Sequence, residues 1–143
     1  MLQTAANVKP YPHRDIQASR CKRKPDIDTI ESCFQIIKYY FEMINASVFK
    51  NKLSPFNEIL IKQIRDRTSP CMGQVVAWTW KRKGTVQYWL EMLPTYRNKR
   101  EFVDTLAHEM VHLYQMANLG DTGNHNKLFY SFRPKLNKIG LDL

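Results

Sequence analysis

Five consecutive residues, His108-Glu109-Met110-Val111-His112, constrain this chain more than any other stretch. On a helix of 3.6 residues per turn, histidines four apart differ by about 40° around the axis and lie one turn apart. They can therefore grip one metal ion from the same face. The glutamate points beside them, where it can hold a metal-activated water and take its proton without filling a ligand position. With 4 histidines among 143 residues, and the glutamates as sparse as they are, chance supplies roughly 0.005 such patterns. The pattern requires a helix, and its surroundings predict one. Asn98 and Glu101 make a capping-box-like start. Phe102, Leu106, Met110, Leu113 and Ala117 form an apolar stripe, and Gly120 supplies the stop.

Zinc in a catalytic site wants three protein ligands and one open position. The metzincin spacing would put a Gly and then a His at the positions held here by Gln115 and Asn118, so that class fails. His125 is the candidate third ligand. It lies beyond Gly120-Asp121-Thr122-Gly123-Asn124, where two glycines let the chain reverse. Asp121 competes with it as a carboxylate ligand, and His13 is too far upstream to be expected at the site. Tyr114, Tyr130 and Arg133 are near in sequence, but none is assigned as an oxyanion stabiliser.

The remaining chain reads as one domain over residues 28–143, in keeping with its length. A first helix is expected from a capping-box-like Asp28 and Glu31 to about Lys50, with Ile30, Phe34, Ile37, Phe41, Ile44 and Val48 on one stripe. Three strands follow. Glu58 to Arg65 is the first; Gln74 to Trp80 sets Val76, Trp78 and Trp80 on one face; Val86 to Met92 sets Val86, Tyr88, Leu90 and Met92 on one face. Residues 81–85 form a hairpin loop. A last helix begins near His125 and carries Leu128, Phe129, Phe132, Leu136 and Ile139, with a kink or break at Pro134. The predicted class is α+β: a small, mainly antiparallel sheet packed on helices, with the His108–His112 helix central.

Residues 1–27 read as a basic, flexible arm. They hold Pro10, Pro12 and Pro25, and Lys9, Arg14, Arg20, Lys22, Arg23 and Lys24 against Asp15 and Asp26. The whole chain carries a formal net charge of +9, which favours polyanionic partners. Trp78, Trp80, Lys81, Arg82 and Lys83 interleave aromatics with cations, as single-stranded nucleic acid requires, and Arg97, Lys99 and Arg100 add charge before the motif helix. The two tryptophans fit a core face equally well. Cys21, Cys33 and Cys71 are odd in number and hold no Cys-x-x-Cys pair, which excludes a disulfide framework and a cysteine zinc ribbon. Apolar runs are far shorter than the roughly 20 residues of a membrane span, and no signal-peptide pattern is present. The expectation is a soluble, monomeric, intracellular protein, cytoplasmic or associated with a nucleoid or nucleus.

Several of these stretches together resemble the SprT-like, Spartan-related zinc metalloprotease family. They are Phe41-Glu42-Met43-Ile44-Asn45 with Phe49 and Lys52-Leu53; Met72-Gly73-Gln74-Val75; Leu106-Ala107-His108-Glu109-Met110-Val111-His112; and Asn124-His125-Asn126 followed by Phe129. The resemblance covers roughly residues 30–140. It implies a single zincin-like domain that cleaves peptide bonds, with His108, His112 and His125 as zinc ligands and Glu109 as catalytic base. It also implies protein substrates associated with DNA, including DNA–protein crosslinks. The family tends to show Gly-His-Gly where this chain has Asn124-His125-Asn126, and the cysteine zinc ribbon that often follows the domain is missing. DNA contact is therefore expected from the domain itself or from the arm. Two other readings stay open: a zincin peptidase specific for one regulatory protein without DNA, and a non-catalytic, zinc-stabilised binding module.

Overall fold

The computed structural model describes residues 28–64 and 71–143 in full and residues 2–7 as a backbone strand. In chain order the elements are β1 (Leu2–Asn7), β2 (Ile30–Glu31), α1 (Phe34–Val48), β3 (Glu58–Ile61), β4 (Gly73–Trp80), β5 (Thr85–Met92), β6 (Thr95–Tyr96), α2 (Lys99–Leu113), a π-helical turn (Tyr114–Asn118), α3 (Lys127–Tyr130) and α4 (Arg133–Asn137). The class is α+β. The main sheet has the order β1-β4-β5-β3, and β2 and β6 form a separate two-stranded ribbon.

The β4–β5 hairpin follows from the alternation in its sequence. Gly73 lies opposite Met92 and Trp80 opposite Thr85. Side chains alternate between the faces of a strand, so Val75, Leu90 and Met92 enter the main core while Val76, Trp78 and Trp80 take the opposite face. β3 runs parallel to β5, which makes the sheet mixed. β1 runs antiparallel along the outer edge of β4, from Leu2 opposite Trp80 to Asn7 opposite Val76, with an irregularity between Thr4 and Ala6.

Three expectations change. Ile30 and Glu31 do not begin a helix; they pair as a strand with Tyr96 and Thr95. The next residue is tied to the same segment, Ser32 N donating to Pro94 O at 2.8 Å and its hydroxyl to Leu93 O at 2.6 Å. These long-range bonds outweigh a local cap, and α1 starts after Cys33, whose side chain makes no capping bond. Phe34 consequently falls outside the buried stripe and is 59% exposed. β3 ends at Ile61 rather than running on to Arg65, which lies outside the described residues. Leu2–Asn7, read as part of the arm, is a strand; the arm's cations from Lys9 to Lys24 and His13 lie outside the described residues.

The core fills the space between α1, α2 and the sheet. α1 contributes Ile37, Phe41, Ile44 and Val48, α2 contributes Phe102, Leu106 and Met110, and α3 and α4 close it with Phe129 and Leu136. The exit of α1 is fixed by Asn45, which donates from Nδ2 to Leu53 O at 3.0 Å and accepts from Leu53 N at 3.1 Å. Pro134 sits in the first turn of α4, where its missing N–H costs nothing. The expected break is thus between α3 and α4. No helix among the described residues is long and apolar enough to cross a membrane.

Candidate metal centre

The start of α2 is set as its sequence predicts. Asn98 Oδ1 accepts from Glu101 N at 2.8 Å, and Glu101 Oε1 reaches back to Arg97 N at 3.1 Å. Two turns further on, His108 and His112 are both fully buried. Past Leu113 the helix widens into the π-turn, where Leu119 N bonds to Tyr114 O five residues back. Asp121 N then bonds to Gln115 O at 2.7 Å. Gly120 and Gly123 adopt φ of 63° and 77°, a region that side chains with a Cβ avoid. The chain reverses there and brings His125 back over α2.

The three imidazoles meet tip to tip. Nε2 of His108 lies 2.9 Å from Nε2 of His125, and Nε2 of His112 lies 3.2 Å from each of them. An imidazole nitrogen donates or accepts but never both. A triangle of three therefore always contains one contact of two lone pairs or two N–H groups. A cation at the centre removes that conflict. The spacing also fits: Zn–N bonds of 2.0–2.1 Å in a tetrahedron set neighbouring ligands about 3.3 Å apart. The three histidines could thus hold a metal ion.

The orientation of His112 is fixed from behind. Its Nδ1 lies 2.8 Å from Gln115 Oε1. The Gln115 amide is assigned by its other contacts, since Nε2 donates to Asp121 Oδ2 at 3.0 Å, Asn124 O at 3.0 Å and Asn126 Oδ1 at 3.1 Å. Oε1 can then only accept, so His112 carries its proton on Nδ1 and presents the Nε2 lone pair to the centre. Burial holds the His112 pKa down at about 3, with the Gln115 bond pulling the other way and His125 adding to the depression. Asp121 is not a ligand. Its carboxylate accepts from Asn126 Nδ2 at 2.9 Å as well as from Gln115, and these bonds, that of Asn126 foremost, hold its pKa below the usual range.

Phe129 forms the floor. Its ring is fully buried, stacks on His112 at 4.5 Å and meets His108 and His125 edge-on at 4.8 and 4.9 Å. Asn126 places it by capping α3, its Oδ1 accepting from Phe129 N at 3.0 Å. Glu109 is buried too, and neither carboxylate oxygen makes a full hydrogen bond. Burial pushes its carboxyl well above the usual range, and the Val75 backbone offsets this only in part. β4 approaches α2 closely here: a Cβ on Gly73 would lie 2.9 Å from Thr105 Cγ2.

The candidate nucleic-acid residues are not brought together. Lys81, Arg82 and Lys83 are exposed on the hairpin turn, with Lys83 Nζ 5.9 Å from the Trp80 ring. Trp78 packs on Trp89 at 5.4 Å on the sheet face away from the main core, so it is not a core residue of the domain. Arg97, Lys99 and Arg100 sit past the far end of β5, whose eight residues span about 26 Å. Two of them have local partners, Lys99 over the Tyr40 ring at 5.4 Å and Arg100 with Asp104 at 3.6 Å. Sequence reasoning passed over Gln115 and Asn126. Gln115 was findable, because three residues after His112 on a helix is the same face.

Compared with known proteins, the chain matches no family model, no curated protein and no solved structure.

Proposed function

We propose that this chain is a zinc-dependent endopeptidase with a zincin-like fold, acting on DNA-associated proteins, DNA–protein crosslinks among them. The observation that carries the reading is the convergence of three imidazole Nε2 atoms, with a buried carboxylate lacking hydrogen bonds on the residue after the first of them. Three protein ligands leave a fourth position for chemistry, which distinguishes a catalytic from a closed structural site. Zinc held there would supply Lewis acidity and bring a water molecule's pKa down towards neutrality.

The residues of the chain do the rest. Glu109, made more basic by burial, takes a proton from water and delivers it to the leaving amine. His112 is locked in the ligating tautomer before any metal arrives. Val75, whose backbone lies against Glu109, sits one residue past the span of β4 that β1 covers. Among the described residues no strand lies along the β1 side of β4 from Gly73 to Val75, and such an edge can take an extended substrate by strand addition. The DNA part of the reading is supported by the +9 charge, by the exposed cations beside Trp80, and by the SprT-like resemblance of the motifs.

The test is to incubate zinc-loaded protein with a DNA-binding protein, with and without single-stranded DNA, beside Glu109→Gln. Cleavage stimulated by DNA is expected in the wild type. In the variant it should fall by at least about a hundredfold while zinc stays bound. Equal turnover in the two proteins would remove Glu109 as the base, and cleavage indifferent to DNA would favour a peptidase of a single protein target.

A further inference from the structure

Gln115 makes more contacts with the metal centre than any reading of the ligands requires. It is fully buried. Its Oε1 accepts from His112 Nδ1 at 2.8 Å. Its Nε2 reaches three acceptors, Asp121 Oδ2, Asn124 O and Asn126 Oδ1, at 3.0 to 3.1 Å, so two N–H groups are shared among three partners. Its own carbonyl takes the Asp121 N–H. Of these partners, Asn124 and Asn126 flank His125 on either side, and Asn126 also caps the helix that carries Phe129.

We propose that Gln115 is the positioning residue of the centre, a single amide that orients the ligand on the helix with its oxygen and fastens the loop bearing the third ligand with its nitrogen. Asp121 anchors the far end. A carboxylate behind a ligating histidine fixes its tautomer and makes it a better donor; here the carboxylate acts through an intervening amide. The polarity then runs in one direction, from His112 Nδ1–H into Gln115 Oε1 and from Gln115 Nε2–H into Asp121 Oδ2. Asn126 takes part through its side chain, which offers an acceptor to that amide, a donor to Asp121 and a cap to α3, whereas Asn124 offers only its main-chain carbonyl. A glycine at 126, with no side-chain amide, could provide none of the three Asn126 bonds. The inference rests on the metal reading given above, and it concerns how the site is held rather than what it cleaves.

The experiment measures zinc affinity of the full chain by competition with a chromophoric chelator, together with the visible spectrum of the Co2+-substituted protein. Gln115→Leu removes both halves of the amide. It should weaken zinc binding ten- to a hundredfold, the usual effect of losing an outer-shell partner, and change the Co2+ bands. Gln115→Glu keeps the acceptor for His112 but sets a carboxylate against Asp121, and it should weaken zinc binding as well. Asp121→Asn added to Gln115→Glu removes the clash of two carboxylates, with the new amide donating to the new carboxylate, and should recover part of the loss; Asn124 O and Asn126 Oδ1 still face an acceptor. A residue that merely filled space would show no such recovery, and this pair decides the matter even if the leucine variant fails to fold. Zinc affinity within twofold of wild type in Gln115→Leu, or a double variant no better than Gln115→Glu, would overturn the proposal. Wild-type protein that binds zinc, shows these losses and cleaves nothing would sink the protease reading while supporting this one.

Discussion

Acidifying the metal-free protein should destabilise it by an amount that can be worked out from one side chain. His112 is fully buried among Phe129, His108 and His125, and its pKa falls from 6.5 to about 3 on folding. The depressed group is a base, so folding favours its neutral form. The stability it allows is complete above pH 6.5 and is lost as the pH falls toward 3, because the unfolded chain takes up a proton that the folded chain refuses. At 1.36 kcal/mol per pH unit, the loss between pH 7.5 and pH 5 is about 2 kcal/mol, rising to about 3 at pH 4. The assay is urea unfolding after chelator treatment, for the wild type and for His112→Asn, which does not titrate. The wild type should lose about 2 kcal/mol more than the variant between pH 7.5 and pH 5. Identical pH dependence in the two proteins would show that His112 is not held neutral by burial, and the tautomer argument built on Gln115 would lose its footing.

Other perturbations test the surrounding structure. Gly73→Ala places a Cβ 2.9 Å from Thr105 Cγ2 and 3.3 Å from Glu91 O; it should cost about 1–3 kcal/mol, and Thr105→Ser in the same chain should return more than half, read from urea midpoints. Asn45→Ala strips both partners from the buried Leu53 backbone and should cost about 3 kcal/mol, and a loss below about 1 kcal/mol would contradict the contact. Lys81→Gln with Lys83→Gln should lower single-stranded DNA affinity and reduce the slope of log K against log salt by about 1.4. An unchanged slope would refute a DNA contact at the hairpin.

What could be read from the sequence was local. The cap, stripe and stop of α2 are encoded within some twenty residues, and the paired histidines follow from helix geometry alone. The β4–β5 hairpin likewise carries its own alternation. His125 could be reached by elimination and by the two glycines before it. The failures were all non-local. Ile30 and Glu31 continue the spacing of a helical stripe, yet they are held by residues more than sixty positions away at Thr95 and Tyr96. The parallel pairing of β3 with β5 leaves no mark on either strand. Helical spacing puts Gln115 behind His112, but its other partners stay hidden: residues 121, 124 and 126 become its neighbours only once the chain has turned back, and spacing along the sequence does not state where a turn leads.

A π-turn is the trace of one residue more than an α-helix would use, and this one sets the length of the path from His112 to His125. Removing a single residue from 114–118 would let α2 continue in ordinary register. Everything after the deletion would then be rotated by about 100° and drawn back by about 1.5 Å. The two histidines on α2 would keep their places, while the loop would deliver His125 to a different side of the helix. Insertions and deletions should therefore be tolerated very unevenly here. The exposed turn at 81–84 can vary in length at little cost, whereas the five residues of the π-turn must be counted as strictly as the three that separate His108 from His112.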